Sequence, residues 1–198
     1  MRRLQLGLIG CGSVVREIYK RLYFDSAYAD DLDVVAVAEP DEGVRESFCE
    51  RHGVEPHRRF AQYADMLEAV ALDAVMVNTP DSLHAPPTIA AFEHGLDVLV
   101  PKPLADTIEA GHRMIEAARA SGRLLGVDFH KRHDPRLLEA AARYRAGEYG
   151  QLQHADWHMI DRLHVVNPND EPRFFASRDF AEKNSPISFL TVHMADSL

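Results

Sequence analysis

The sequence predicts an α/β protein that begins with a doubly wound parallel sheet and continues into the start of a second α/β (α+β) domain. Three observations favour this fold class. Short apolar runs alternate with helix-like segments up to residue 127, as the βαβ units of a parallel sheet require. A Gly-x-Gly turn follows the first apolar run directly. Further along, the alternation stops, and residues 152–163 show the pattern of one antiparallel strand.

The elements of the first domain follow one another in a regular order. Gly53, Gly95 and Gly122 predict helix ends, and Asp106, with Glu109 three residues later, predicts a helix N-cap. The predicted strands cover residues 4–9, 34–38, 57–60, 74–77, 97–100 and 124–127.

The rest of the chain has a different pattern. Asp134-Pro135 predicts the start of a helix, and Gly147 or Gly150 predicts its end. We therefore place a domain boundary near residues 128–132. The single strand predicted beyond it is not stable alone, so either a longer chain or a partner must supply the rest of its sheet.

The composition indicates an ordinary globular protein. The 198 residues are 46% hydrophobic and 27% charged, with a formal net charge of −9. We expect no nucleic-acid partner and no membrane span, because no basic footprint and no long apolar stretch occurs. Cys11 and Cys49 form no disulfide framework, and no Cys/His spacing suggests zinc, so we expect no metal and a cytoplasmic location. The N-terminal apolar run is too short for a signal peptide.

The Gly-x-Gly turn is the first candidate site. Gly10 and Gly12 stand where a strand meets a helix, which lets a diphosphate approach backbone N–H groups at a helix N-terminus. Val15 occupies the place of the usual third glycine, so helix and strand are expected to pack slightly further apart. A purely structural turn is the alternative. The residues of this turn predicted to bind a dinucleotide are Gly10, Cys11, Gly12, Ser13 and Val14.

Glu39 ends the second predicted strand at the same edge of the sheet. A carboxylate there accepts hydrogen bonds from both ribose hydroxyls and repels a 2′-phosphate. The sequence therefore favours NAD over NADP as the cofactor. A solvated charge at a strand end is the alternative.

Two further strand ends carry polar residues. Asn78, Thr79 and Pro80 follow the fourth strand, with His84 shortly after, and we expect these four to contact the cofactor. A helix cap or a packed side chain is the alternative for His84. Lys102 follows the fifth strand between two prolines, which stiffen the backbone around its ammonium group and favour a functional role.

His193 lies near the C-terminus among apolar residues. It is the best candidate for a general base, since the ordinary pKa of a histidine lies near neutrality. A buried structural histidine is the alternative.

Together these segments resemble the Gfo/Idh/MocA family of oxidoreductases, which includes glucose-fructose oxidoreductase and inositol dehydrogenase. The similar stretches are GLIGCGSVV, AVAEPD, VMVNTPDSLHAPPTIAAFEHGLDVLVPKPLAD, GVDFHKRHDP and SFLTVHMADSL. The resemblance implies an NAD(P)-binding Rossmann domain over residues 1–129 and part of a substrate and oligomerisation domain over residues 130–198. It also implies that Lys102 contacts substrate and nicotinamide, that the Lys102-Pro103 peptide is cis, and that His193 sits at the reacting hydroxyl.

The chain departs from the family pattern at three points. Pro101 replaces the glutamate that usually precedes the lysine, and Phe189 replaces an aspartate that many members carry four residues before the histidine. The chain is also much shorter than most members. A Lys-Asp-His proton relay is therefore not carried over.

The expected activity is hydride transfer between a nicotinamide cofactor and a secondary alcohol or ketone of a sugar, inositol or related polyol. Lys102 and His193 are the expected catalytic residues, and Arg132 is a further expected substrate contact. Two alternatives stay open: a nucleotide-binding module without redox activity, and an NAD-assisted lyase or glycosidase. A second copy of the chain, joined through the C-terminal sheet, is a candidate partner.

Overall fold

The computed structural model describes residues 2–24 and 30–151, together with residues 153, 154, 156, 158 and 196. Its sheet has the strand order β3-β2-β1-β4-β5-β6. The strands are β1 (Leu4–Ile9), β2 (Leu32–Ala38), β3 (Arg59–Phe60), β4 (Ala74–Val77), β5 (Asp97–Pro101) and β6 (Leu125–Asp128). β1 pairs in parallel with β2 and β4, β2 with β3, and β4 with β5. This order reverses between β1 and β4, as in the Rossmann fold, and confirms the predicted fold class.

Helices pack on the sheet through two separate hydrophobic clusters. The helices are α1 (Lys20–Phe24), α2 (Glu42–His52), α3 (Tyr63–Ala69), α4 (Ala85–Glu93), α5 (Ile108–Ser121) and α6 (Pro135–Arg145), with shorter helical turns at Val15–Tyr19, Pro56–Arg58, Asp81–Leu83 and His130–His133. Along β4, Val75 and Val77 pack in one cluster with residues of α3, α4 and α5, whereas Met76 packs in the other with residues of α2. The alternation along the strand thus places helices on both faces, as a doubly wound sheet requires.

Two helix starts differ from the simple pattern that the sequence predicts. The helical turn that begins at Val15 is a π-helix, and Val15 itself is fully buried where a third glycine is usual. The predicted cap of α5 was wrong: Thr107 precedes the helix, and its hydroxyl accepts a hydrogen bond from Ala110 N at 3.2 Å. Asp106 and Thr107 are both good capping residues, so spacing to a later glutamate could not decide between them.

The chain divides into two compact units, Met1–Val127 and Asp128–Leu198. In the second unit Asp134 caps α6, because its Oδ1 accepts a hydrogen bond from Arg136 N at 3.0 Å. No side chain of α6 is buried. The strand predicted at residues 152–163 lies mostly outside the described residues, and the role of this unit in substrate binding and oligomerisation stays a prediction. Within the described part of the chain, no helix has the length and apolar character needed to cross a membrane.

Candidate active site

The turn after β1 is held against the ends of both neighbouring strands, β2 and β4. Gly10 N donates a hydrogen bond to Ala38 O at 2.8 Å, and Asn78 N donates to Ile9 O at 2.7 Å. Gly10 has a φ of +87°, and a Cβ there would lie 2.9 Å from Asn78 O, so this position requires glycine. At Gly12, by contrast, a Cβ would meet nothing within 4 Å. The backbone at Gly12 therefore borders open space that a ligand can use.

Glu39 directly follows β2, and its carboxylate contacts the backbone of this turn. Its N donates to Phe60 O at 2.9 Å, which ties it to the neighbouring strand. Its carboxylate accepts one hydrogen bond from Cys11 N and one from Asp41 N, both at 3.1 Å. Two backbone amides thus orient the carboxylate and leave lone pairs for further donors. These contacts favour a built site over a freely solvated charge.

Cys11 contributes to the site through its backbone N–H, which contacts Glu39, and not through its thiol. The Cys11 side chain is fully buried, and burial raises the pKa of its thiol. Burial likewise raises the pKa of the Cys49 thiol, to about 11. Neither thiol has the lowered pKa that a nucleophilic cysteine needs.

The end of β4 holds polar atoms that lack partners. Asn78 Nδ2 donates to Gly10 O and Met76 O, both at 3.4 Å. Asn78 Oδ1 and Thr79 Oγ1 are buried and have no hydrogen-bond partner among the residues that the structure describes. Buried polar atoms normally have a partner. Orphaned polar atoms beside the glycine turn fit a bound nucleotide that would supply the missing hydrogen bonds.

His84 lies inside the protein rather than at the surface of the site. The residue is 1% exposed. Nε2 lies 2.9 Å from Thr79 O, and Nδ1 lies 3.1 Å from Pro103 O and 3.2 Å from Leu104 O. These contacts favour a link between two turns over direct contact with a cofactor, and the predicted cofactor contact of His84 remains untested.

Lys102 follows β5 at the same edge of the sheet. The Lys102-Pro103 peptide bond is cis, as the resemblance implied. Its predicted contacts with substrate and cofactor stay predictions.

Asp81 is a residue of this site that the sequence reasoning missed. It begins the helical turn before α4 and is 8% exposed. Burial raises the pKa of its carboxyl, and the electrostatic influence of His84 and Lys102 opposes that rise. The available signal was its place in the Asp-Ser-Leu-His segment, but an aspartate beside a proline normally indicates only a turn.

The second unit carries one described site residue. Arg132 Nε donates to both carboxylate oxygens of Asp196 at 2.8 Å, and Nη2 also donates to that carboxylate. The guanidinium carbon lies 5.1 Å from the centroid of the Phe129 ring. Arg132 is therefore oriented by its own unit, and its predicted contact with substrate stays a prediction. His193 lies outside the described residues.

The comparison with protein families decides the relationship of this chain. The profile of the GFO_IDH_MocA family, described as "Oxidoreductase family, NAD-binding Rossmann fold", matches residues 4–129. The chain belongs to this family. The matched residues are its NAD-binding Rossmann domain, which confirms the family and the cofactor class predicted from the sequence.

Individual members of the Gfo/Idh/MocA family extend the comparison. Inositol 2-dehydrogenase 4 of Saccharopolyspora erythraea is 33% identical over 151 residues, which cover 76% of this chain and 43% of that protein. D-glucoside 3-dehydrogenase of Escherichia coli K12 is 33% identical over 197 residues, covering 98% and 52%. The WlbA dehydrogenase from Bordetella pertussis, solved in complex with NADH and UDP-GlcNAcA, matches with a TM-score of 0.69 and 25% identity over 76% of this chain and 42% of that one. The chain spans about half the length of the curated relatives it matches.

Proposed function

We propose that this chain acts in an NAD-dependent dehydrogenase whose substrate is a secondary alcohol, or the corresponding ketone, of a sugar, inositol or related polyol. The observation that carries the proposal is the meeting of Gly12, Glu39 and the orphaned atoms of Asn78 and Thr79 at one edge of the sheet. The names of the inositol and glucoside dehydrogenases among its relatives support the substrate class.

Each residue has a defined task in this proposal. The backbone around Gly12 holds the diphosphate, and Glu39 accepts hydrogen bonds from the ribose hydroxyls and repels a 2′-phosphate. The bound nicotinamide supplies the hydride chemistry. Lys102 donates a hydrogen bond to the reacting oxygen and stabilises its developing negative charge, while His193 accepts or returns the hydroxyl proton. Arg132 binds the substrate.

The test has two stages. Calorimetric titration of the chain with NAD and with NADP is expected to show binding of both, with NAD the tighter ligand. Incubation of the NAD complex with a panel of polyols and sugars is then expected to raise the absorbance of reduced nicotinamide. Absence of NAD binding contradicts the whole proposal.

Two other outcomes identify other functions. NAD binding without turnover of any polyol supports a nucleotide-binding module, which the replacement of the usual glutamate by Pro101 also favours. Consumption of substrate with no net reduced cofactor supports a lyase or glycosidase that returns the hydride.

A further inference from the structure

His84 is a buried polar residue that the proposed chemistry leaves without a task. It stands between the helical turn Asp81–Leu83 and α4, and its side chain is among the largest that are fully buried. A buried imidazole normally requires hydrogen bonds to offset the loss of water. The partners of this ring therefore show what it does.

All three partners are backbone carbonyl oxygens, and they belong to two different turns. On one side, Nε2 faces Thr79 O in the turn after β4. On the other side, Nδ1 faces Pro103 O and Leu104 O in the turn after β5. Carbonyl oxygens only accept hydrogen bonds, so the ring nitrogen that carries the proton donates to one turn, and the tautomer sets which turn that is. The ring thus contacts both turns beyond the last paired residues of β4 and β5, which are Met76 and Leu99.

The bridged segments carry the residues assigned to the two functional tasks. Thr79 belongs to the proposed cofactor site, and Lys102 directly precedes the Pro103 carbonyl that the ring contacts. The prolines on both sides of Lys102 restrict its local backbone. Movement of the Lys102 backbone relative to Thr79 therefore requires movement of the whole turn, which the contacts of the ring oppose.

We propose that His84 is a positioning residue, which fixes the turn that carries Lys102 against the turn that carries Thr79. The importance of His84 for catalysis rests on the proposed function, whereas its effect on the position of Lys102 does not. Asp81 adjoins the bridge in the same segment, and its carboxyl is influenced electrostatically by His84, Lys102 and Asp106.

The test measures the chemical environment of Lys102 directly in the full chain. His84→Gln keeps a polar side chain but lacks the rigid ring whose two nitrogens face the two turns. His94→Gln is the matched control, because His94 follows the same helix and its Nδ1 contacts a single carbonyl oxygen, Ala90 O, at 2.8 Å. Brief acetylation followed by mass spectrometry gives the modification rate of Lys102 relative to Lys20 and Lys131, at a temperature where all variants are folded.

We expect His84→Gln to raise the relative rate at Lys102 about fivefold, as the loss of one net hydrogen bond would, and His94→Gln to leave it unchanged. A structural role alone would lower the melting temperature of His84→Gln without changing this ratio, and an unchanged ratio overturns the proposal. NAD titration of the same samples is a separate readout. A parent chain that fails to bind NAD contradicts the proposed function, whereas the labelling ratio still decides the positioning role.

A second measurement covers the case in which His84→Gln does not fold. In the parent chain labelled with ¹⁵N-histidine, a ring N–H of His84 should be observable, protected from solvent exchange and close to protons of Thr79 or Leu104. A His84 ring whose N–H protons exchange as rapidly as those of exposed histidines overturns the proposal without any variant.

Discussion

The two halves of the sheet's carboxyl edge are built in different ways. In the β1–β2 half, backbone amides hold a charged side chain of the site: Cys11 N and Asp41 N donate to the Glu39 carboxylate and orient it at the turn. In the β4–β5 half, polar side chains are buried. Thr79 Oγ1 lacks a partner in the described structure, and burial raises the pKa of Asp81.

We infer from this difference that the two halves contribute differently to cofactor binding and to turnover. Fully satisfied backbone contacts make a rigid surface that a cofactor can occupy without rearranging the protein. Buried, incompletely satisfied or pKa-shifted groups cost stability and are typical of sites where chemistry occurs. We therefore expect the β1–β2 half to supply the larger part of cofactor affinity, and the β4–β5 half to supply a smaller part, to control turnover and to limit stability.

The largest expected effect is on turnover. Lys102→Ala should reduce kcat by about 10²–10³-fold, because it removes the group proposed to stabilise charge on the reacting oxygen. NAD affinity, measured by calorimetry, should stay close to that of the parent. Lys131→Ala is the control, since Lys131 lies in the turn His130–His133 and has no predicted role. Turnover of Lys102→Ala equal to that of an active parent would exclude the catalytic role.

The second effect concerns cofactor affinity. Glu39→Ala should weaken NAD binding about tenfold, because hydrogen bonds to a charged acceptor are lost, and should narrow the preference for NAD over NADP. Glu42→Ala removes the same charge from the exposed first turn of α2 and serves as the control. If Glu39→Ala and the parent bind NAD with the same affinity, and NADP likewise, Glu39 is a solvated surface charge with no role in cofactor binding.

The sequence predicted the strand ends and turns better than the burial of the side chains around them, for a physical reason. Strand ends, glycine turns and the place of Glu39 follow from local periodicity and from the parallel order of the strands. The environment of His84 does not, because Pro103, 19 residues away, supplies one of its contacts. The burial of Asp81 is likewise a property of packing that no local pattern encodes.

Two opposing influences act on the Asp81 carboxyl, namely its burial and its attraction to His84 and Lys102. The pH dependence of the melting temperature shows which of them is larger. The raised pKa means that the folded protein binds the proton more tightly than the unfolded chain, so stability is lost as pH rises through the range above the ordinary pKa of aspartate. Asp81→Asn removes this cost and should raise the melting temperature at pH 7 but not at pH 4. Asp65→Asn, at an exposed position of α3, should change it little at either pH. A lower melting temperature for Asp81→Asn at pH 7 would show that attraction to His84 and Lys102 outweighs burial.

The smallest expected effect comes from two threonine hydroxyls that lack a hydrogen-bond partner in the described part of the chain. Thr79 Oγ1 and Thr88 Oγ1 are both buried without a partner among the described residues, but only Thr79 lies at the proposed cofactor site. Replacement by the isosteric valine should stabilise each variant by about 1 kcal/mol, because an unsatisfied polar group is removed. Thermal melts with and without NAD then separate the two. Thr88→Val should keep the stabilisation by NAD that the parent shows, whereas Thr79→Val should lose part of it, corresponding to about fivefold weaker binding. If both variants respond to NAD as the parent does, the Thr79 hydroxyl contributes nothing to the cofactor site, and the contrast between the two halves then rests on Asp81, His84 and Lys102.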